Sequence, residues 1–171
     1  MPKIIAVILE LSVLICALWL MLFLSTFLHE LGHAIGYMFS TGGRRWHIRV
    51  GSGKRLLKTN ALTVKLLVFD GLFEPTEDRI DTRGKLISTL IGGPVASLVL
   101  VIVFLCLKLG DISFSSGFIT SSAITSFVDF ALSLNVFILV LSVIPAHYFC
   151  GENKGMETDG RKILNAIKGS K

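Results

Sequence analysis

Charge is the scarcest commodity in this chain. Only 17% of its 171 residues are Asp, Glu, Lys or Arg, against about 25% in a soluble domain. Cysteine is scarce as well. Cys16, Cys106 and Cys150 stand far apart, which excludes a disulfide framework and any Cys-rich zinc spacing. Internal repeats and low-complexity tracts are missing too, so the chain reads as one domain over 1–171.

What fills the space is apolar. Hydrophobic residues make up 52% of the chain and the mean hydropathy is +0.72. Uncharged or nearly uncharged runs cover 11–28, 86–107 and about 117–146, the last interrupted only by Asp129. Each meets the length of about 20 residues that a membrane-spanning helix needs. The first run exceeds the apolar core of a secretory signal and lacks a small-x-small cleavage site, so it reads as a retained span. The expected fold is an α-helical membrane protein with three spans, at about 5–39, 85–108 and 117–145.

The basic residues give this arrangement a direction. Ten of the 17 Lys and Arg residues lie in 42–85, five follow Ala146, and only Lys3 and Lys108 remain. Positive residues concentrate on the cytoplasmic side of spans. The amino terminus and the short loop near Asp111 are therefore expected outside, with the basic middle segment and the tail 146–171 in the cytoplasm. The pI near 9.3 then reflects topology and anionic lipid headgroups, and no nucleic-acid partner is needed.

Within the first run stands the sequence His29-Glu30-Leu31-Gly32-His33. Four-residue spacing stacks both imidazoles on one helix face, where neutral ring nitrogens can hold one zinc ion. Glu30 sits beside that face and can take a proton from a water polarised by the ion. Ionisable residues inside a span are expensive and point to function. If the helix runs to Phe39, His33 lies about 9 Å and His29 about 15 Å from its end, so the site is submerged and opens toward the cytoplasmic half.

A catalytic zinc site needs a third protein ligand. His147, Glu152, Glu157 and Asp159 all lie on the expected cytoplasmic side, and Asp129 is a rival inside the third span. Spacing alone leaves the choice open. Asp129 also reads as a proton-relay group or a partner for another helix, His47 as a surface residue, and Glu10 as an outer interfacial one.

These residues resemble the site-2 protease family, intramembrane zinc metalloproteases with a three-helix core. The family's HExxH is matched by His29, Glu30 and His33, and its Gly-Pro pair by Gly93-Pro94. Its Asn-x-x-Pro segment followed by Asp-Gly is matched by Ser142-Val143-Ile144-Pro145 and then Asp159-Gly160. The resemblance implies Asp159 as the third zinc ligand and Glu30 as the general base. The chain departs from the family at Ser142, where Asn is usual, at Ser97, where Asn often follows the Gly-Pro proline, and in the thirteen residues between Pro145 and Asp159. Ser97 is expected to supply a hydrogen bond, and Asn135, about two turns before Ser142, is a substitute for the missing amide.

Three further segments carry expectations. Trp46 to Val50 alternates, Gly51-Ser52-Gly53-Lys54 is a turn signal, and 62–69 is β-rich, so 42–75 should hold a small cytoplasmic hairpin or sheet. In the resembled family, strands here pair with an unwound substrate. Gly92-Gly93-Pro94 should kink the second span and favour close packing. The pattern at 161–167 reads as a short helix on the inner membrane face.

The implied activity is hydrolysis of a peptide bond in or near a membrane-spanning segment of another protein, by a zinc metalloendopeptidase with one ion per chain. The alternative is a non-catalytic membrane binding, immunity or regulatory protein that retains the protease fold.

Overall fold

A computed structural model describes residues 2–110, 121–149 and 151–169. The loop near Asp111, the expected start of the third span at Gly117, and Cys150 lie outside the described residues. The elements run α1 (Pro2–Thr41), β1 (Trp46–Lys58), β2 (Leu62–Pro75), α2 (Arg83–Leu109), α3 (Ser121–Val143) and α4 (Asp159–Lys168).

Three helices are long and apolar enough to cross a membrane. Their apolar segments are Val7–Thr41, Arg83–Leu109 and Ile124–Val143, with mean hydropathies of 2.7, 2.7 and 2.1. Their apolar side chains point outward: Ile8, Leu14, Val99, Ile102 and Phe137 are all more than half exposed. The helix ends follow local chemistry. Thr82 caps α2 by accepting from the Lys85 N–H, as Ser and Thr do at N-caps. Helix α3 stops two residues before Pro145, consistent with the steric bar that proline places on its predecessor.

Helices α1 and α2 meet through small residues. A Cβ on Gly32 would collide with the Gly92 carbonyl, a Cβ on Gly92 would collide with the Gly32 carbonyl, and a Cβ on Gly36 would strike Ser88. The two backbones are thus nearly in contact, the packing that small residues permit between apolar helices. Helix α2 continues through Pro94 as one helix, with the Gly-Gly-Pro run set against α1.

The sheet is a single antiparallel pair, β1 with β2, and it curls on itself. Ile48, Arg49 and Val50 pair with Phe73, Leu72 and Gly71 on one side and with Leu62, Thr63 and Val64 on the other. Residues 71–75 are left as an outer segment. The turn falls at Thr59-Asn60-Ala61, where the Thr59 N–H bonds the Leu62 carbonyl at 2.7 Å. This corrects the expected turn at Gly51–Gly53. Both glycines lie inside β1 with φ of 88° and 79°, and they mark register shifts in the strand. Glycine takes up such left-handed backbone at no steric cost, so the same residues serve a bulge as readily as a turn. His47, expected at the surface, is half-buried and ties the hairpin together through Thr63 Oγ1 at 2.9 Å and the Asn60 carbonyl.

The hairpin folds back along α1 instead of sitting beyond its end. Ala34, Ile48, Val50 and Val68 form the buried core, with Trp19, Phe23, Phe27 and Leu31 of α1 packed against it. Trp19, Phe23 and Phe27 stack at four-residue intervals, with centroids 5.7 and 5.8 Å apart. The Trp19 indole donates to the Leu66 carbonyl at 2.7 Å. Trp19 is ten residues before His29, or about 15 Å along the helix, so the hairpin spans the depth at which the His pair lies.

Replacing Gly92 by Val is expected to force α1 and α2 apart, at a cost of about 1–3 kcal/mol for overpacking. The melting temperature in detergent should fall. An unchanged value would contradict the close approach of the two helices.

Candidate metal centre

Helical spacing places His29 and His33 on one face of α1, their ring centroids 5.0 Å apart and nearly perpendicular. Asp159, the first residue of α4, faces them: its Oδ2 lies 3.3 Å from His29 Nε2 and 3.3 Å from His33 Nε2. All three are buried, with exposures of 5%, 5% and 6%. One donor atom from each lies within 4.8 Å of the other two, so the group could hold a metal ion. Donors about 2.0–2.2 Å from one tetrahedral ion are roughly 3.4 Å from each other, which is the spacing found at Asp159.

The second ring nitrogens are occupied. His33 Nδ1 lies 2.9 Å from the Thr89 carbonyl, which can only accept, so in that pairing Nδ1 carries the proton and Nε2 is the atom turned toward Asp159. His29 Nδ1 lies 2.8 Å from the Ser97 hydroxyl, which can play the same part. Such outer partners fix the tautomer and ring orientation of metal-binding histidines. Position 93 must stay small for the same reason. A Cβ there would press on His33 Nε2 and lie 2.7 Å from His29 Nε2, filling the space between the donors.

Glu30 is also buried, at 7%. A Cβ on Gly71 would strike its carboxylate, so β2 passes directly over it. Glu30, His33, Asp159, Phe73, Tyr148 and Asn153 are among the residues lining a cavity of about 60 Å³.

Asp159 reaches the centre through the segment after α3. Thr158 caps α4, accepting from the Arg161 N–H. It also closes a neck: its N–H donates to the Ala146 carbonyl at 3.1 Å, and its hydroxyl accepts from the Ala146 N–H at 3.1 Å. The His147–Glu157 bridge and the Tyr148 N–H to Met156 carbonyl bond extend the neck. The thirteen-residue segment is therefore a closed excursion, and Asp159 starts its helix beside the end of α3.

The rival ligands point elsewhere. Asp129 pairs with Lys108 at 2.8 Å, with both side chains close to half exposed. Glu157 accepts from Arg161 and Asn165, and His147 is exposed. Glu152 pairs with Arg49 and Lys65, and the Lys65 ammonium holds its carboxyl below the usual carboxylate range. Asn135, proposed as a substitute amide, is buried but donates to Ser25 and to the Ala131 carbonyl. Ser142 bonds the Leu139 carbonyl. Neither touches the His pair.

Scans of protein-family models, curated proteins and solved structures returned no match to this chain. The centre is therefore read from its own geometry. Sequence reasoning missed Tyr148, Asn153 and Lys162, which line the cavity with Glu30: the folded excursion brings in the first two, and α4 carries Lys162 beside Asp159. Burial, with the Asp159 and Glu30 carboxylates nearby, pushes the Tyr148 phenol above its usual range, so it stays protonated at neutral pH.

Protein supplied with zinc is expected to retain about one ion per chain. His29→Ala and Asp159→Ala should lose it, while Asp129→Asn and Glu157→Gln should keep it. Ser97→Ala should weaken affinity by roughly 10–100-fold, the usual effect of removing an outer partner. Elemental analysis and competition with a chelator measure each, and zinc retained by folded Asp159→Ala would redirect the ligand assignment.

Proposed function

We propose that the chain is an intramembrane zinc metalloprotease that hydrolyses a peptide bond in or near a membrane-spanning segment of a substrate protein. The observation that carries this reading is the buried group of His29 and His33, beside Glu30 in a helix apolar enough to span, with Asp159 brought to them by α4. Buried ionisable groups at such a depth are costly unless they work.

When bound, zinc would supply a Lewis acid for the scissile carbonyl and lower the pKa of water. His29 and His33 would hold the ion through Nε2, and Ser97 and Thr89 stop their rings from turning. Asp159 adds the carboxylate that completes a two-nitrogen, one-oxygen donor set. Glu30 takes a proton from the attacking water and later delivers it to the leaving amine. Expulsion of the amine breaks the C–N bond once that proton has arrived.

A substrate helix hides its scissile carbonyl in its own hydrogen bonds, so it must first be extended. The outer segment 71–75 of β2 runs past the cavity and offers replacement partners by strand addition. In the membrane reading the amino terminus lies outside and the cavity opens toward the cytoplasm of a multi-pass cell-membrane protein, as the bias of Lys and Arg supports. The partners are then the bilayer and a membrane-protein or membrane-peptide substrate.

One observation favours the rival reading, a binding or regulatory protein that keeps the fold without turnover. The cavity of about 60 Å³ is far smaller than the 300 Å³ or more of typical ligand pockets. Glu30→Gln separates the two. Peptide termini of membrane proteins should be compared in cells expressing wild type, Glu30→Gln or His29→Ala. The protease reading expects new termini with wild type and none with either variant. A biological effect that survives Glu30→Gln, with no new termini, would establish the binding protein.

A further inference from the structure

The excursion at 146–149 and 151–158 has fixed ends and an anchored tip. Its neck is held by the Ala146–Thr158 bonds. Its tip reaches across to the hairpin. The Glu152 carboxylate meets the Arg49 guanidinium, lies 2.5 Å from Lys65 Nζ, and accepts from the Gly53 N–H at 3.2 Å. The Glu152 N–H donates to Asp70 Oδ2 at 2.9 Å. Asn153 is held on both sides: its Oδ1 accepts from Arg49 at 2.6 Å, and its Nδ2 donates to the Gly71 carbonyl at 2.6 Å.

The underside of this segment covers the centre. Tyr148, Asn153 and Met156 line the cavity opposite Glu30, His33 and Asp159. A cavity of about 60 Å³ has room for water and none for a stretch of peptide. Asn153 also occupies the carbonyl of Gly71, on the outer segment of β2 next to Glu30. An extended peptide lying along that segment would meet the Asn153 side chain first.

The anchors are of a kind that can be released. Every named bond between tip and hairpin is polar. The Arg49 and Lys65 side chains retain 19% exposure and that of Glu152 retains 33%, so water can take over the partners in the Glu152 ion pairs, whereas Asn153 is buried. Partly wet ion pairs are screened by salt, and exchange with water makes them modest in net strength.

We propose that residues 146–149 and 151–158 form a strap that closes the cavity, and that release of Glu152 from Arg49 and Lys65 opens it to an extended peptide. The peptide rests on the reading of the centre as a protease; the latch does not. Glu152 and Arg49 are gating residues and touch no reacting atom.

Full-length protein in detergent micelles, loaded with zinc, tests the latch through the rate at which 4-(2-pyridylazo)resorcinol captures the metal. Glu152→Gln and Arg49→Gln should each release zinc about tenfold faster than wild type at unchanged stoichiometry. The double variant should release zinc more slowly than the product of the two single effects predicts, because both substitutions remove the shared Glu152–Arg49 pair. Added salt should speed release from wild type and leave Glu152→Gln unaffected. Trypsin cleavage after Lys154 gives a second, metal-independent readout, since a protease needs the strap extended, and it should follow the same order. Variants that keep the wild-type melting temperature yet match wild-type rates in both assays overturn the strap. If no variant holds zinc while Glu152→Gln is cut faster at Lys154, the latch stands and the protease reading falls.

Discussion

Two imidazoles and a carboxylate on α1 share a small buried volume with a second carboxylate from the start of α4, and the rest of the structure answers to that constraint. Unpaired charge in such a setting is expensive. The cost is met locally by convergence: Asp159 Oδ2 stands 3.3 Å from both Nε2 atoms, while Ser97 and Thr89 occupy the far ring nitrogens. A bound cation would complete the balance, because it turns the same three donors from a burden into a coordination set. The contact of Gly32 with Gly92 serves the centre too. It brings α2 close enough for Thr89, Gly93 and Ser97 to touch the His rings.

The hairpin and the excursion before α4 form the other wall. Hydrophobic packing on Trp19, Phe23 and Phe27 fixes the hairpin along α1, which puts Gly71 against Glu30. Polar contacts then attach the excursion to the hairpin. The division is physically apt: apolar contacts hold what stays in place, and exchangeable ion pairs hold what can move. The neck at Ala146 and Thr158 isolates Asp159 from that motion, since the capped start of α4 does not depend on the tip.

Local periodicity made part of this legible in the sequence. The apolar runs gave three helices near the expected bounds, and the four-residue spacing of His29 and His33 put both rings on one face. Hydrogen bonding by Ser97 was expected from the resemblance, which puts a polar residue three positions after Pro94. Long-range geometry was less accessible. Asp159 lies 130 residues from His29, and only resemblance singled it out from His147, Glu152, Glu157 and Asp129. Those rivals were removed by partners invisible to spacing, such as Lys108 for Asp129 and Arg49 for Glu152. The glycines at 51 and 53 misled because a positive φ suits a bulge as well as a turn. The hairpin's return along α1 was hidden because alternation shows which side chains point inward and says nothing of what they meet.

Zinc K-edge X-ray absorption on zinc-loaded wild-type protein tests the central claim most directly. Coordination by two imidazole nitrogens and carboxylate oxygen at about 2.0–2.2 Å, with no sulfur, is the expected result, and Asp159→Ala should lose or alter that shell. A first shell containing sulfur, or one with fewer than two imidazoles, would contradict the centre at His29, His33 and Asp159.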